Sequence, residues 1–140
     1  MIRRATADDV EEIVAIFEPS FALLDFLPQL HTHEEHLAFF GGRVREDEVY
    51  ILGRGFAILH EDWLGHLYVH PDELGTGVGH ALFEHVKTLR PGGFQFWVFQ
   101  QNERARRFYE EHGAVAVEFT DGEGNEEKTP DVRYVWKPSG

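Results

Sequence analysis

Apolar residues Val10, Ile13, Val14 and Phe17 recur at i, i+3, i+4 and i+7, which predicts a helix from about Ala7 to Glu18. Thr6 with Asp9 three residues on forms a capping-box pattern before it, and Pro19 is expected to stop it. The short run Ile2–Thr6 reads as a first strand. Residues 21–30 are apolar without a period and contain Pro28, so they read as a loop or a broken helix. A second cap, Thr32 with Glu35, precedes Leu37, Phe40 and Val44 on one helical face, and Gly41-Gly42 predicts an end or a kink there.

The period then changes. Glu48–Leu52 and Phe56–His60 read as strands joined by the turn Gly53-Arg54-Gly55, and Trp63–Val69 as a third strand. Ala81, Leu82, Val86 and Leu89 mark a helix over Gly77–Leu89, ended by Pro91-Gly92-Gly93. Phe94–Phe99 is nearly all apolar, the pattern of a central strand buried on both faces. Asn102 caps a helix bearing Ala105, Phe108, Tyr109 and His112, with Gly113 as its C′ residue. Val115–Thr120 and Val132–Lys137 read as strands around a polar stretch, Asp121–Lys128, expected to be a loose hairpin loop. No repeat or linker interrupts residues 1–140, which read as a single domain. The order of elements predicts an α/β (α+β) fold, a mixed sheet of about six to seven strands flanked on both faces by about four helices.

Composition narrows the function classes. A chain of 140 residues, 42% apolar with 12 Phe, can bury a substantial core. It holds no cysteine, which excludes disulfides, thiolate metal sites and a cysteine nucleophile and fits a cytoplasmic setting. There is no apolar run long enough to span a membrane and no secretory h-region near Met1, so no membrane association is expected. The net charge of -12 argues against nucleic acid as a partner; solubility is its first explanation, and a preference for cationic substrates such as amines is the second.

The first chemical feature is a loop with Gly75, Gly77 and Gly79 between a strand and a helix. Backbone N–H groups at such a helix start, with the helix dipole behind them, suit a phosphate or pyrophosphate. A dinucleotide fingerprint requires a third-spaced glycine where His80 stands, and a P-loop requires a Gly-Lys-Ser/Thr that does not follow. Coenzyme A pyrophosphate is the third candidate, and a glycine turn that only packs strand on helix is the structural alternative.

The segment LYVHPDELGTGVGHAL followed by NERARRFYEEHGA resembles the GNAT superfamily of acyl-CoA-dependent N-acyltransferases. Val69-His70-Pro71 matches the family's strand end, and Gly77 and Gly79 match its Arg/Gln-x-x-Gly-x-Gly/Ala loop, with Leu74 departing at the Arg/Gln position. Asn102, Ala105, Phe108, Tyr109 and Gly113 match the later motif, and Ala114 replaces its final Phe. The order of elements agrees over nearly the whole chain.

The resemblance implies an N-acetyltransferase that transfers an acetyl group from acetyl-CoA to a primary amine by direct attack in a ternary complex. The alternative is a non-catalytic acyl-CoA-binding or sensing domain of the same fold. The pantetheine arm would lie between Trp63–Val69 and Phe94–Phe99, paired with the backbone of Leu67 and Val69 beside Tyr68. N–H groups from Leu74 through Gly75, Thr76, Gly77, Val78, Gly79 and His80 would hold the pyrophosphate, and Asn102, Ala105, Phe108 and Tyr109 would complete the cofactor side. Tyr109 is implied as the general acid for the departing thiolate. His66 is the candidate base, with Asp62, Glu61 or a water relay as alternatives. The loop between the first two helices, with Phe26, His31 and His33, would line the acceptor site. A metal at His31, His33 and His36 is not expected, because their spacing matches no zinc pattern. Members of the family often form dimers, which makes a homodimer one expectation.

Overall fold

The computed structural model describes residues 1–139. The strands are β1 (Arg3–Arg4), β2 (Glu48–Leu52), β3 (Gly55–His60), β4 (Trp63–Val69), β5 (Phe94–Phe99), β6 (Val115–Phe119) and β7 (Asp131–Trp136). The helices are α1 (Val10–Ala22), α2 (His33–Glu46), α3 (Val78–Leu89) and α4 (Glu103–Glu111). All seven strands join in one sheet in the order β1-β2-β3-β4-β5-β7-β6. Every neighbouring pair is antiparallel except β4 and β5.

Alternation along the strands divides the core in two. Phe56 and Ile58 of β3 pack with Val49 and Ile51 against Ile13, Val14 and Ile16 of α1 and Phe40 of α2. Ala57 and Leu59, one residue out of phase, pack with Leu82, Phe83 and Val86 of α3 and with Phe94, Phe96, Tyr109 and Tyr134. Complete burial of a side chain such as Phe83 contributes about 1.5–3 kcal/mol. The strand buried on both faces is therefore β3, not β5. In β5, Phe94, Phe96 and Val98 are buried, while Trp97 on the other face is 43% exposed. α1 and α2 pack on β2, β3 and β4, and among the described residues no helix covers the Trp97 face of β5.

Two helices run past their expected breaks. Pro19 lies inside α1, which continues to Ala22. The lost N–H and ring clash cost about 3 kcal/mol. Stacking of Phe17 on Phe21 (5.2 Å) and burial of Ser20, whose hydroxyl donates to Ile16 O (2.7 Å), hold the last turn in place. α2 passes through Gly41-Gly42 without a break. Burial of Phe40, packing by Leu37 and Val44, and an Arg43–Asp47 ion pair (2.8 Å) offset the helix cost of about 1 kcal/mol per glycine.

The stretch 121–130 is not loose. The Asn125 amide donates to Thr129 O (2.7 Å) and Asp131 Oδ2 (3.1 Å), and Thr120 pairs with Asp131. Glu126 meets His31 at 2.5 Å, which ties this loop to the segment between α1 and α2.

Candidate active site

β4 and β5 are parallel and share one register pair, Trp63 with Gln95. Gln95 N–H donates to Asp62 O (2.9 Å), and beyond that point the strands separate. A cleft of about 770 Å³ opens between them. On the β3 side, His70 N–H donates to Arg54 O (2.8 Å). Backbone groups alternate along an antiparallel strand, so the N–H groups of Val69 and Leu67 face the open edge. The carbonyl of Val69 accepts from the Ser20 hydroxyl (2.8 Å).

The floor at one end is the turn 70–77. His70 caps a 3-10 turn over Pro71–Glu73 by accepting from Asp72 N–H. Glu73 accepts from Arg54 N–H (2.9 Å), and the Thr76 hydroxyl donates to Glu73 O (2.6 Å), so the loop is tied down before α3 begins. Gly75 and Gly77 have φ of +83° and +95°, where L side chains are strained. Gly79 has no such constraint, and an added Cβ would meet Phe108 and Val69 at 3.6 Å, an ordinary contact. α3 has no side-chain cap at Gly77 and no acid in its first turn, whereas α1, α2 and α4 each carry acidic residues there. Its first N–H groups and positive dipole end are thus uncompensated by the protein. Among the described residues Arg104 is the one Lys or Arg that lines the cleft.

Of the sequence-predicted residues, Leu67, Tyr68, Val69, Leu74, Gly75, Gly77, Gly79, His80, Asn102, Ala105, Phe108, Tyr109, His66 and Phe26 all line this cleft. Thr76 and Val78 do not. The Thr76 hydroxyl is turned back on the loop, and Val78 packs against the larger core cluster. His31 and His33 line a second hollow, with Phe17, Glu18 and His36. There Glu18 accepts from both His33 (2.9 Å) and His36 (2.7 Å). Asn102 Oδ1 caps α4 by accepting from Ala105 N–H (3.2 Å).

Tyr109 stands at the fork, its ring 4.5 Å from Phe96. Burial pushes its hydroxyl above the usual phenol range, and the nearby Tyr68 adds to this. Tyr68 is raised the same way, by burial and then by the charge of Glu127. His66 lies between Phe39 (5.6 Å) and Phe40 (5.5 Å), and its Nδ1 is buried with no partner among the described residues. Burial, reinforced by Arg43 and opposed by Asp47, lowers its pKa to about 4. The imidazole is therefore neutral at ordinary pH and a weak base.

Leu24 and Asp25, in the loop expected at the acceptor site, line the cleft; sequence reasoning missed Ser20, Trp97 and Arg104, which line it too. The signal for Ser20 was a polar residue on the apolar face of α1 just after Pro19. Trp97 carried none, because its exposure follows from the missing helix over β5.

The family described as "Acetyltransferase (GNAT) domain" matches residues 34–113, which span β2–β5 and most of the cleft. The chain belongs to the GNAT acetyltransferase family. It is 32% identical over 122 residues, 80% of this chain and 81% of the other, to the peptidyl-lysine N-acetyltransferase YjaB of Salmonella typhimurium. The solution structure of apo-form YjaB from Escherichia coli is 27% identical, with a TM-score of 0.73 over 99% of this chain and 98% of that one. The GNAT fold is also shared with yncA of Salmonella typhimurium, a putative acetyltransferase solved with acetyl-CoA, at 18% identity and a TM-score of 0.72 over 100% of this chain and 94% of that one. As a GNAT member the protein is an acetyl-CoA-dependent N-acetyltransferase. Among the described residues no helix is long and apolar enough to cross a membrane.

Proposed function

We propose that the protein acetylates lysine side chains of peptides or proteins, with acetyl-CoA in the β4–β5 fork and Tyr109 as general acid. The observation that carries this reading is the open edge of β4 facing Tyr109 at the point where the two strands part. The pantetheine amides pair with Leu67 and Val69 as an added strand would. The pyrophosphate lies on the uncapped start of α3, and Arg104 adds a cation at the rim. Similarity to a peptidyl-lysine N-acetyltransferase supports the acceptor class, as do the acidic residues Asp25 and Glu103 on the cleft.

In the reaction the neutral amine nitrogen attacks the thioester carbon, and the oxyanion is stabilised by an open-edge N–H of β4 that the pantetheine amides leave free. The C–S bond then breaks as the Tyr109 hydroxyl donates to the leaving sulfur, and the proton released by the nitrogen restores the phenol. A free lysine has a pKa near 10.4, so a base must remove its proton first. With its pKa near 4, His66 supports this step as a lone-pair acceptor for a water relay rather than as the final owner of the proton.

Turnover with acetyl-CoA, followed by thiol release and mass spectrometry, tests the assignment. The acceptors are a lysine peptide, a lysine-free peptide with a free N-terminus, and spermidine. Acetylation at the lysine Nε is the expected result. Preference for spermidine or the N-terminus by about tenfold or more would overturn the acceptor class. Coenzyme binding without turnover of any amine would overturn the mechanism.

A further inference from the structure

His80 and Glu84 lie one turn apart on α3, and His112 closes α4. His80 Nδ1 is 2.8 Å from His112 Nε2, and with a Glu84 carboxylate oxygen the three ligand atoms lie within 4.8 Å of one another. The orientation of His112 is fixed. Its Nδ1 donates to Phe108 O (2.7 Å), which leaves a lone pair on Nε2, and its ring packs 4.2 Å from Phe108 and 5.8 Å from Phe83. A ring nitrogen held by a carbonyl so that the other faces outward is the usual support of a metal-binding histidine. Glu84 Oε2 is paired with Lys87 (2.7 Å), so its second oxygen is the one available to a ligand.

We propose that His80, Glu84 and His112 form a binding site for a divalent transition cation of the zinc class. Two imidazole nitrogens and one carboxylate oxygen suit Zn²⁺, Co²⁺ or Ni²⁺, whereas Mg²⁺ and Ca²⁺ require mostly oxygen ligands. With Zn–N bonds of about 2.0–2.1 Å in tetrahedral geometry, two ligand nitrogens sit about 3.3 Å apart. The rings, hydrogen-bonded at 2.8 Å, need only part by a fraction of an ångström. Without an ion His80 Nδ1–H donates to His112 Nε2. On binding, the proton moves to the exposed side of His80, and Nδ1 becomes a ligand with no net proton change. Three protein ligands leave one position for water. The ion would link the first turn of α3 to the end of α4, the two helices that flank the cleft. The site does not depend on the acyl-CoA reading.

The test is calorimetric titration of tag-free, chelator-treated protein with ZnCl₂, NiCl₂ and MgCl₂, with thermal unfolding alongside. One Zn²⁺ per chain and a rise in Tm are expected. Glu84→Gln and His112→Gln should each weaken Zn²⁺ at least tenfold, and the double variant His33→Gln/His36→Gln should bind as the wild type does. Glu84 is partly exposed, so its variant folds even if His112→Gln does not. Absence of saturable Zn²⁺ binding, retention of full affinity in Glu84→Gln, loss in the His33/His36 variant instead, or equal saturation by Mg²⁺ would each overturn the proposal.

Discussion

The hydroxyl of Ser20, in the last turn of α1, lies 2.8 Å from the carbonyl oxygen of Val69 at the open end of β4. It is also 2.7 Å from Ile16 O, so one proton is shared between a helix carbonyl and the cleft edge. This contact exists because α1 continues past Pro19. Ser20→Ala leaves a carbonyl short of a donor and should cost about 1 kcal/mol, read by urea denaturation. The loosened Val69 should raise KM for acetyl-CoA a few-fold with a smaller effect on kcat. Unchanged stability together with unchanged KM would show that the contact holds nothing in place.

Tyr109→Phe removes the proposed acid while keeping the ring between Phe96 and Phe83. We expect kcat to fall by about 10²–10⁴ with acetyl-CoA affinity within about twofold, measured by turnover and calorimetry. Because burial raises the Tyr109 pKa, the hydroxyl keeps its proton through mildly alkaline pH. Tyr109 should therefore cause no fall in kcat between pH 7 and about 9.5. A loss of coenzyme binding as large as the loss of rate would make Tyr109 a packing residue.

The loop glycines should separate by role. Gly77→Ala meets no atom within 4 Å, so its cost is the left-handed φ of +95°, about 1–2 kcal/mol of stability. Gly79→Ala has ordinary contacts, and its stability should stay within about 0.5 kcal/mol of wild type. Gly79 lines the cleft at the start of α3, and a methyl there should weaken coenzyme A about tenfold. Full coenzyme affinity in Gly79→Ala would remove the start of α3 from the binding site.

His66 gives a pH dependence of stability. Its folded pKa is about 4 and its unfolded pKa about 6.5, so between these values the unfolded chain binds more protons. Its effect is absent above pH 6.5, grows as pH falls, and saturates below pH 4. Stability should drop by about 2 kcal/mol from pH 7 to pH 5 through this group. His66→Gln should flatten the difference, checked by urea denaturation at both values. A slope equal in variant and wild type would mean that His66 titrates normally.

Much of the cleft was legible in the sequence because its chemistry is local. A strand, a turn needing left-handed glycines and a helix start occupy consecutive residues from Trp63 to Leu89, and Asn102–Gly113 is one capped helix. Where sequence and structure part, the cause is tertiary. Pro19, Gly41 and Gly42 carry a local cost to a helix, and packing around Phe17, Phe40 and Ser20 outweighs it. The composition of Phe94–Phe99 predicts burial on both faces, but burial depends on which helices cover a strand. The resemblance implies His31 and His33 at the acceptor site, whereas the carboxylates of Glu126 and Glu18 hold them at a second hollow.

By itself the sequence determined the type and order of nearly every element, the glycine turn at Gly75–Gly79 before a helix start and the family resemblance, all of which depend on spacings within a few residues. Tertiary structure alone decided the neutral state of His66, the contact of Ser20 with Val69 and the meeting of His80 and Glu84 with His112. Each of these is a relation between segments far apart in the chain, set by how two helix layers cover one twisted sheet, and no local pattern of residues encodes it.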